Sequence, residues 1–405
     1  MKLKPFSIIL IGLLLGCQED DIRLARLFTL KVDRSYLTES TDNWIVVHDE
    51  DGKVLEFKSF ESGDELIIET QKSLNNSNTL GVTIINYYHT PSPFQSNYQI
   101  ETYFDYPIGS QMTLEQIAAT EDPVGDLIGT FDVRLTSLGY LDTYSLTNKY
   151  GRTCGGSGST NEYNSEINFQ CSIEDIAKDY ILIASDNQGN LRHQRLEDVQ
   201  NGSNFEIDFR NMQNFDEYFE FNFPQSSNVF VIVEGQEIGQ LSVNGYTLQY
   251  HFQSDTHNKV KVGYLNSLTN YSTWFSSAPY TYFNKGSKPD PNFSFPALDE
   301  FSVQNKKIEE FTSTAANDFV YRKSFFVYRD PTNSKLIVNW TVNSSSHNHL
   351  LEQLPDEILE IHPLLNFHNL VYSRTQFIFG TRVYPPVTPA DPNLNYVEYT
   401  VLVTN

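Results

Sequence analysis

Hydrophobic and polar residues alternate with a period of two along much of the chain, a pattern typical of strands with one buried face. The run from Trp44 to His48 has the length of a strand and ends at the turn-forming sequence 49–53. One helix is predicted at 350–361, where Pro355 suits the first turn. The pattern predicts a mainly β protein with one short helix near the C-terminus. Further strand-like segments lie at 54–57, 66–69, 82–88, 180–185, 229–233, 319–328, 336–342 and 396–403.

Turn-rich segments divide the chain into candidate domains. A length of 405 residues suits about two to four domains. We predict a β-sandwich at 25–122, a second β-sandwich at 123–236 and a β-rich C-terminal domain at 237–405. The sequence leaves open whether the last segment is one domain or two.

Two turns recur along the chain and suggest an internal duplication. The Asp-x-x-Gly turn at 49–52 returns at 186–189, and the turn at Gly63 returns at Gly202. The alternative is that unrelated strand-turn-strand units use the same residues, since Asp caps such turns and Gly accepts a positive φ. The pattern resembles carboxypeptidase-regulatory and transthyretin-like modules. This resemblance implies tandem immunoglobulin-like or transthyretin-like β-sandwich domains.

Composition narrows the class of protein. Aromatic residues make up 14% of the chain, and the 24 Tyr and 28 Phe favour pleated sheets. The net charge of -23 disfavours nucleic-acid binding, because phosphates would be repelled. No run of about 18 apolar residues is present, which argues against a multi-span membrane protein.

The N-terminal segment indicates export. Lys2 and Lys4 precede an apolar stretch that is too short to span a bilayer and suits a secretory signal. The stretch ends in Leu14-Leu15-Gly16-Cys17, which resembles a bacterial lipobox. The resemblance implies that residues 1–16 are removed and that Cys17 carries the lipid, a diacylglyceryl group with a further acyl chain such as palmitate. The alternative is an ordinary secretory signal with a chance cysteine, which the agreement of charge, length and motif disfavours.

The segment after Cys17 indicates where in the cell the protein is held. Residues 17–24 form a tether that contains the acidic run Glu19-Asp20-Asp21. This run resembles the export signal of surface-exposed lipoproteins in the Bacteroidota. The resemblance implies a protein held by its lipid in the outer membrane and facing the cell exterior. The alternative is a solvated acidic tether without targeting function.

Cys154 and Cys171 are the remaining cysteines, and a flexible Gly-rich segment lies between them. In an exported protein an even pair favours a disulfide, which would stabilise by about 3 kcal/mol in the chain-entropy model. Two unpaired thiols are the alternative. A nucleophilic Cys154 is disfavoured, because no sequence motif supplies a base.

Candidate metal and catalytic groups are few. His347 and His349 with Glu352 would suit a metal on one strand face, but a polar turn is favoured because no third ligand has a known spacing. The acidic run 49–51 is better explained by turn capping than by calcium binding. The sequence therefore nominates no metal, no cofactor and no catalytic residue, and it favours a protein that is not an enzyme.

Aromatic residues near Pro279 are the candidate ligand-binding group. Tyr271, Trp274, Tyr280 and Tyr282 lie close together in sequence, and exposed rings beside polar groups suit carbohydrate recognition. Packing in a core is the competing interpretation for each ring.

These observations predict a lipid-anchored binding or accessory protein at the cell surface. Its expected contacts are a glycan or an outer-membrane transporter, besides the membrane itself. The alternatives are a structural or adhesive spacer, and a hydrolase whose site the sequence does not reveal.

Overall fold

The computed structural model describes residues 24–36, 42–72, 74, 78–89, 97–115, 125–158, 165–222, 229–237, 245–252, 259–315, 318–333, 336–381, 384 and 395–404. Cys17, the predicted signal peptide and most of the tether lie outside these ranges. The described chain is mainly β and has one α-helix, so the predicted fold class is confirmed. Within the same ranges, no helix combines the length and the apolarity needed to cross a membrane.

The first seven strands form a β-sandwich. One sheet has the order β4-β1-β7 and packs against β3-β2-β5-β6, with Phe28, Ile45 and Val82 between the sheets. The outer face of β2 and β5 is also covered, which explains the continuous apolar run of Trp44–His48. The strands are β1 (Ala25–Val32), β2 (Asp42–His48), β3 (Val54–Ser59), β4 (Glu65–Thr70), β5 (Thr79–Tyr87), β6 (Tyr98–Pro107) and β7 (Gln111–Leu114).

A second β-sandwich follows. One sheet has the order β10-β11-β8-β14, and the other has the order β15-β13-β12-β9. Phe131, Leu146, Phe169 and Leu182 lie in the core between them. The strands are β8 (Leu127–Thr136), β9 (Leu141–Asn148), β10 (Gly155–Gly158), β11 (Glu166–Glu174), β12 (Tyr180–Asp186), β13 (Leu191–Leu196), β14 (Asn204–Asp208) and β15 (Gln213–Asn214), with a 3₁₀ turn at Phe209–Asn211.

The remaining strands build the C-terminal region. They are β16 (Glu217–Asn222), β17 (Val229–Glu237), β18 (Tyr246–Phe252), β19 (Lys259–Tyr264), β20 (Leu268–Ser277), β21 (Tyr280–Lys285), β22 (Phe301–Lys306), β23 (Glu310–Ala315), β24 (Tyr321–Arg329), β25 (Ile337–Ser344), β26 (Asn348–Leu350), β27 (Val371–Gly380) and β28 (Tyr396–Thr404). Helix α1 (Asp356–Ile361) and 3₁₀ turns at Leu298–Glu300, Pro363–Leu365 and Phe367–Asn369 complete it.

The first sandwich and the C-terminal region share one 12-stranded sheet. Its order is β18-β17-β20-β21-β28-β27-β24-β25-β6-β5-β2-β3. The junction is the parallel pair β6 and β25, in which Tyr98 faces Val338 and Tyr103 faces Asn343. The predicted separation of 25–122 from 237–405 is therefore wrong at the level of the sheet, because backbone hydrogen bonds cross it.

The predicted boundary at 236/237 is also wrong. Strand β16 pairs with β19, and β17 pairs with β18 and β20, so both belong to the C-terminal region. The second sandwich ends at β15. The sequence showed the apolar run at 229–233, but a run of apolar residues does not reveal which core it enters.

The predicted helix at 350–361 begins later than expected. Residue 350 ends β26, and Leu351 and Leu354 are buried in non-helical chain before α1 begins at Asp356. Pro355 precedes the helix as its N-cap residue. Burial of the two leucines against the C-terminal core takes precedence over helix propensity in this segment.

The two recurring turns share their local geometry and differ in their surroundings. Asp49 and Asp186 each accept hydrogen bonds from the second and fourth following amides, and Gly52 and Gly189 both have φ +79°. However, β4 runs antiparallel to β1, whereas β14 runs parallel to β8. The likeness therefore covers the Asp-x-x-Gly turns and the antiparallel hairpins β2–β3 and β12–β13 around them, but not the pairing of β4 and β14. The turn-capping role of Asp49 is confirmed.

Candidate functional site

The four rings predicted to form a platform lie on opposite faces of one sheet. Tyr271, Tyr280 and Tyr282 are at most 3% exposed and pack in the C-terminal core. Trp274 lies half-buried on the other face, where its ring centroid is 5.7 Å from that of Phe230. The prediction of an exposed aromatic platform is therefore wrong for the three tyrosines. Strand alternation separates Trp274 from them, although the four residues are close in sequence.

Cys154 and Cys171 are joined by a disulfide with Cα atoms 5.0 Å apart. Cys171 lies on the inner face of β11, and the residue after Cys154 begins β10. The bond therefore attaches the short edge strand β10 to the core of the second sandwich. The Gly-rich segment after Cys154 pairs with β11 from Gly155 to Gly158.

The outer face of this sheet carries a groove, which we call the polar groove. On β8 and β11 every second side chain is buried, and the side chains between them are exposed. The cavity has a volume of about 680 Å³ and is partly open to solvent. Pockets of about 300–1,000 Å³ are usual for small ligands. The polar side chains that line it belong to Asp132, Arg134, Asn168, Gln170, Asn204 and Glu206.

Strand register sets these side chains in two rows across the sheet. Gln170, Asp132 and Asn204 are cross-strand neighbours in one row. Asn168, Arg134 and Glu206 are neighbours in the other. Neighbouring strands lie about 4.8 Å apart, and alternate residues on a strand about 7 Å apart. The groove is therefore a regular array of hydrogen-bonding groups on a rigid sheet.

Arg134 is neutralised by carboxylates on both sides. Its guanidinium lies 2.9 Å from Glu166 and 3.5 Å from Glu206. The hydrogen bond to Glu166 raises the pKa of Arg134, and the same bond lowers the pKa of Glu166. Arg134 is thus held by Glu166 and Glu206 and is not free to attract an anion.

Two glycines form the end of the groove at β10. A Cβ atom at Gly155 would meet nothing within 4 Å, and the register places it beside Gln170. A Cβ atom at Gly156 would lie 2.9 Å from the Phe169 ring on the core side. Gly155 therefore leaves space at the groove, while Gly156 allows β10 to pack closely on the core.

Comparison with known proteins identifies no relative. No known protein family matches the chain, and no curated protein does. Among solved structures, the chain is similar to a Bacteroides ovatus protein proposed to be an adhesin, with 11% identity over 42% of this chain and 75% of that chain and a TM-score of 0.15. The Bacillus anthracis TIE protein is 11% identical over 66% of this chain and 49% of its own, with a TM-score of 0.17. A streptococcal ancillary pilin is 9% identical over 65% and 96%, with a TM-score of 0.13. At these TM-scores the likenesses carry no argument about function.

A buried hydrogen-bond chain crosses the junction between the first sandwich and the C-terminal region. Trp340 Nε1 donates to Thr102 Oγ1 at 2.9 Å, and Thr102 and Thr83 are joined at 2.8 Å. Thr83 bonds to His48 Nε2 at 3.0 Å, and His48 Nδ1 bonds to the carbonyl of Gly52 at 3.2 Å. Because a carbonyl only accepts, His48 carries its proton on Nδ1 and accepts from Thr83. Every member of the chain therefore has a partner.

A second buried group explains His349. Its Nε2 donates to the carbonyl of Ile308 at 3.1 Å, so its Nδ1 accepts from Arg322 at 2.8 Å. Arg322 is fully buried, stacks over the Phe311 ring and also donates to Ser346 and Ser324. Both ring nitrogens of His349 are hydrogen-bonded to other groups of the protein, so this buried histidine has a structural role.

The possible metal pair His347 and His349 is not formed as a site. His347 is exposed and precedes β26, whereas His349 points into the core. Within the described ranges, no three His, Cys, Asp or Glu side chains are close enough to share a metal ion.

The groove residues were missed by sequence reasoning. Asp132 and Arg134 lie on β8, and Asn168 and Gln170 lie on β11; on both strands buried and exposed residues alternate. Period-two alternation identifies the outer face of each strand. It does not reveal that β11, β8 and β14 are neighbours, since 30 or more residues separate them in sequence.

Proposed function

We propose that this is a lipid-anchored cell-surface binding protein whose ligand occupies the polar groove of the second β-sandwich. The observation that carries the proposal is the groove itself, an array of polar side chains on a sheet whose inner face already has a complete core. The lipobox at Leu14–Cys17 and the acidic run after it support the anchored location.

The charges of the groove favour binding over hydrolysis. Glu166 and Glu206 both contact Arg134, which leaves Asp132 as the lining carboxylate outside this group. A glycoside hydrolase needs two carboxylates that exchange protons on either side of the scissile bond. The arrangement suits recognition of a ligand that is released unchanged.

One experiment tests anchor and binding together. Cells grown with an alkyne analogue of palmitate are fractionated, and the protein is purified from detergent-solubilised outer membranes with whatever accompanies it. We expect label on the wild-type chain, none on Cys17→Ser, and degradation of the surface-exposed chain when intact cells are treated with protease. Bound proteins are identified by mass spectrometry and bound saccharides by sugar analysis.

The Asn168→Ala/Gln170→Ala double variant supplies the binding control. Both side chains are exposed, and the hydrogen bond of 3.4 Å from Asn168 to Glu166 that the variant loses is exposed as well, so folding should be little changed. We expect the accompanying ligand to be lost from this variant while the lipid label stays. Equal recovery of the ligand from wild type and double variant would contradict the groove, and label on Cys17→Ser would contradict the anchor.

A further inference from the structure

We propose that the polar groove binds a neutral saccharide, an inference that rests on the binding function proposed above. Three features carry it: the kind of groups in the groove, their charge balance, and the space at Gly155. None depends on the aromatic residues that the sequence suggested.

The groups in the groove match hydroxyls. Asn168, Gln170 and Asn204 each carry an amide with two N–H donors and an acceptor, and Asp132 adds acceptors beside them. Asn168 already donates one N–H to Glu166 at 3.4 Å, and Asn204 donates one to the carbonyl of Gly202 at 3.2 Å. A saccharide hydroxyl donates and accepts at once, so it can bridge neighbouring amides of such an array. Fixed strand spacing positions the groups before the ligand arrives, which lowers the entropic cost of binding.

The charge balance disfavours the charged classes. Among the lining residues, the carboxylates of Asp132 and Glu206 outnumber the single guanidinium of Arg134, so an acidic saccharide or a phosphate would be repelled. A basic peptide that used Glu166 or Glu206 would have to displace Arg134 from that carboxylate. A neutral polyhydroxyl ligand meets neither obstacle.

The space at Gly155 admits a ring. Among the described residues, a Cβ atom added at Gly155 on β10 would meet nothing within 4 Å. The backbone φ of Gly155 is not in the left-handed region, so a side chain can be added without backbone strain. This position therefore offers a substitution that fills the groove and preserves the fold.

The test uses Gly155→Leu with Gly139→Leu as its matched control. Gly139 lies in the exposed turn between β8 and β9, also has open space around its Cβ, and does not line the groove. Binding of the mature full-length chain to soluble mannan, β-glucan, starch and xylan is measured by calorimetry and compared with polygalacturonate. Thermal unfolding and free-thiol assay confirm that each variant is folded with its disulfide intact.

We expect at least one neutral glycan to bind, with affinity lowered about tenfold or more in Gly155→Leu and unchanged in Gly139→Leu. Binding should vary less than about twofold between 50 and 500 mM salt, because no ion pair is made. Stronger binding of polygalacturonate than of the neutral glycans would overturn the neutral saccharide class. The absence of binding to every neutral glycan would overturn it as well.

The outcomes separate this inference from the proposed function. If the ligand recovered from outer membranes is a protein and is lost in Gly155→Leu, the groove binds and the saccharide class is wrong. If neither glycans nor recovered ligands respond to Gly155→Leu, both the inference and the function of the groove fail.

Discussion

His48 and His349 are buried imidazoles that the fold keeps neutral. Burial lowers the pKa of His48 to about 4, and burial together with the charge of Arg322 lowers the pKa of His349 well below its usual value. Protonating His48 would put a second donor against Thr83, which already receives a proton from Thr102. Single side chains at the junction therefore make stability sensitive to acid.

We predict a loss of stability between pH 6.5 and 4 that depends on His48. An unfolded histidine takes up a proton near pH 6.5, whereas folded His48 resists until about pH 4. The contribution of neutral His48 to the free energy of unfolding is therefore complete above pH 6.5, and it decreases by about 3 kcal/mol as the pH falls to 4. Urea unfolding across this range measures it.

The matched variant is His48→Gln, which cannot be protonated. Its free energy of unfolding should be lower at pH 7 and should fall less steeply with acid than that of the wild type. Parallel curves for the two chains would show that His48 is not the group responsible.

At the scale of elements, the turns 49–52 and 186–189 are a natural matched pair. Both have a Gly at φ +79° and the same capping hydrogen bonds. They differ in what surrounds them. A Cβ at Gly52 would lie 2.2 Å from the carbonyl oxygen of Leu350, while a Cβ at Gly189 would meet nothing within 4 Å. Gly52 also accepts a hydrogen bond from the amide of Glu352 at 2.9 Å.

We predict different costs for Gly52→Ala and Gly189→Ala. Both place alanine in the left-handed region, which costs about 1 kcal/mol. Gly52→Ala must also move the turn away from the backbone at Leu350, which adds about 1–3 kcal/mol. Hydrogen exchange in urea, followed on peptides covering 42–59 and 180–196, reports each turn. Equal losses of stability in the two variants would mean that the contact between Gly52 and Leu350 does not stabilise the junction between the first sandwich and the C-terminal region.

At the scale of the whole molecule, two cores each lie within one sandwich, and two further cores combine a sandwich with the C-terminal region. The core of the second sandwich is built from residues between 131 and 212. The core beneath α1 combines residues 46–104 with residues 308–372, and the parallel pair β6–β25 closes it. The first sandwich is thus completed by a part of the chain more than 200 residues away.

We predict that fragment 125–215 folds alone and that fragment 24–115 does not. The first keeps its core and its disulfide, although Ile181 and Ile183 become exposed. The second keeps the core between its own two sheets, but it leaves the edge of β6 unpaired and exposes Val46, Ile85 and Ile100. Cooperative thermal unfolding and dispersed amide resonances identify a folded fragment. A stable fragment 24–115 would show that the shared core is dispensable.

Local chemistry was predictable from the sequence alone. Alternation gave the mainly β class, the Asp-x-x-Gly pattern gave the two turns, and Pro355 marked the start of the helix within a few residues. These features depend on φ preferences, side-chain direction and near neighbours, which act over a few residues. The lipobox at Cys17 is likewise a local signal, and it stays a prediction.

Long-range pairing was decided only by the tertiary structure. Burial of Tyr271, Tyr280 and Tyr282, the parallel pairing of β6 with β25, and the polar groove all depend on which strands become neighbours. Many registers satisfy the same alternation, and the total burial of apolar surface selects among them. The sequence by itself therefore determined what each strand is, and the packing of distant strands decided which faces meet and which face remains to bind a ligand.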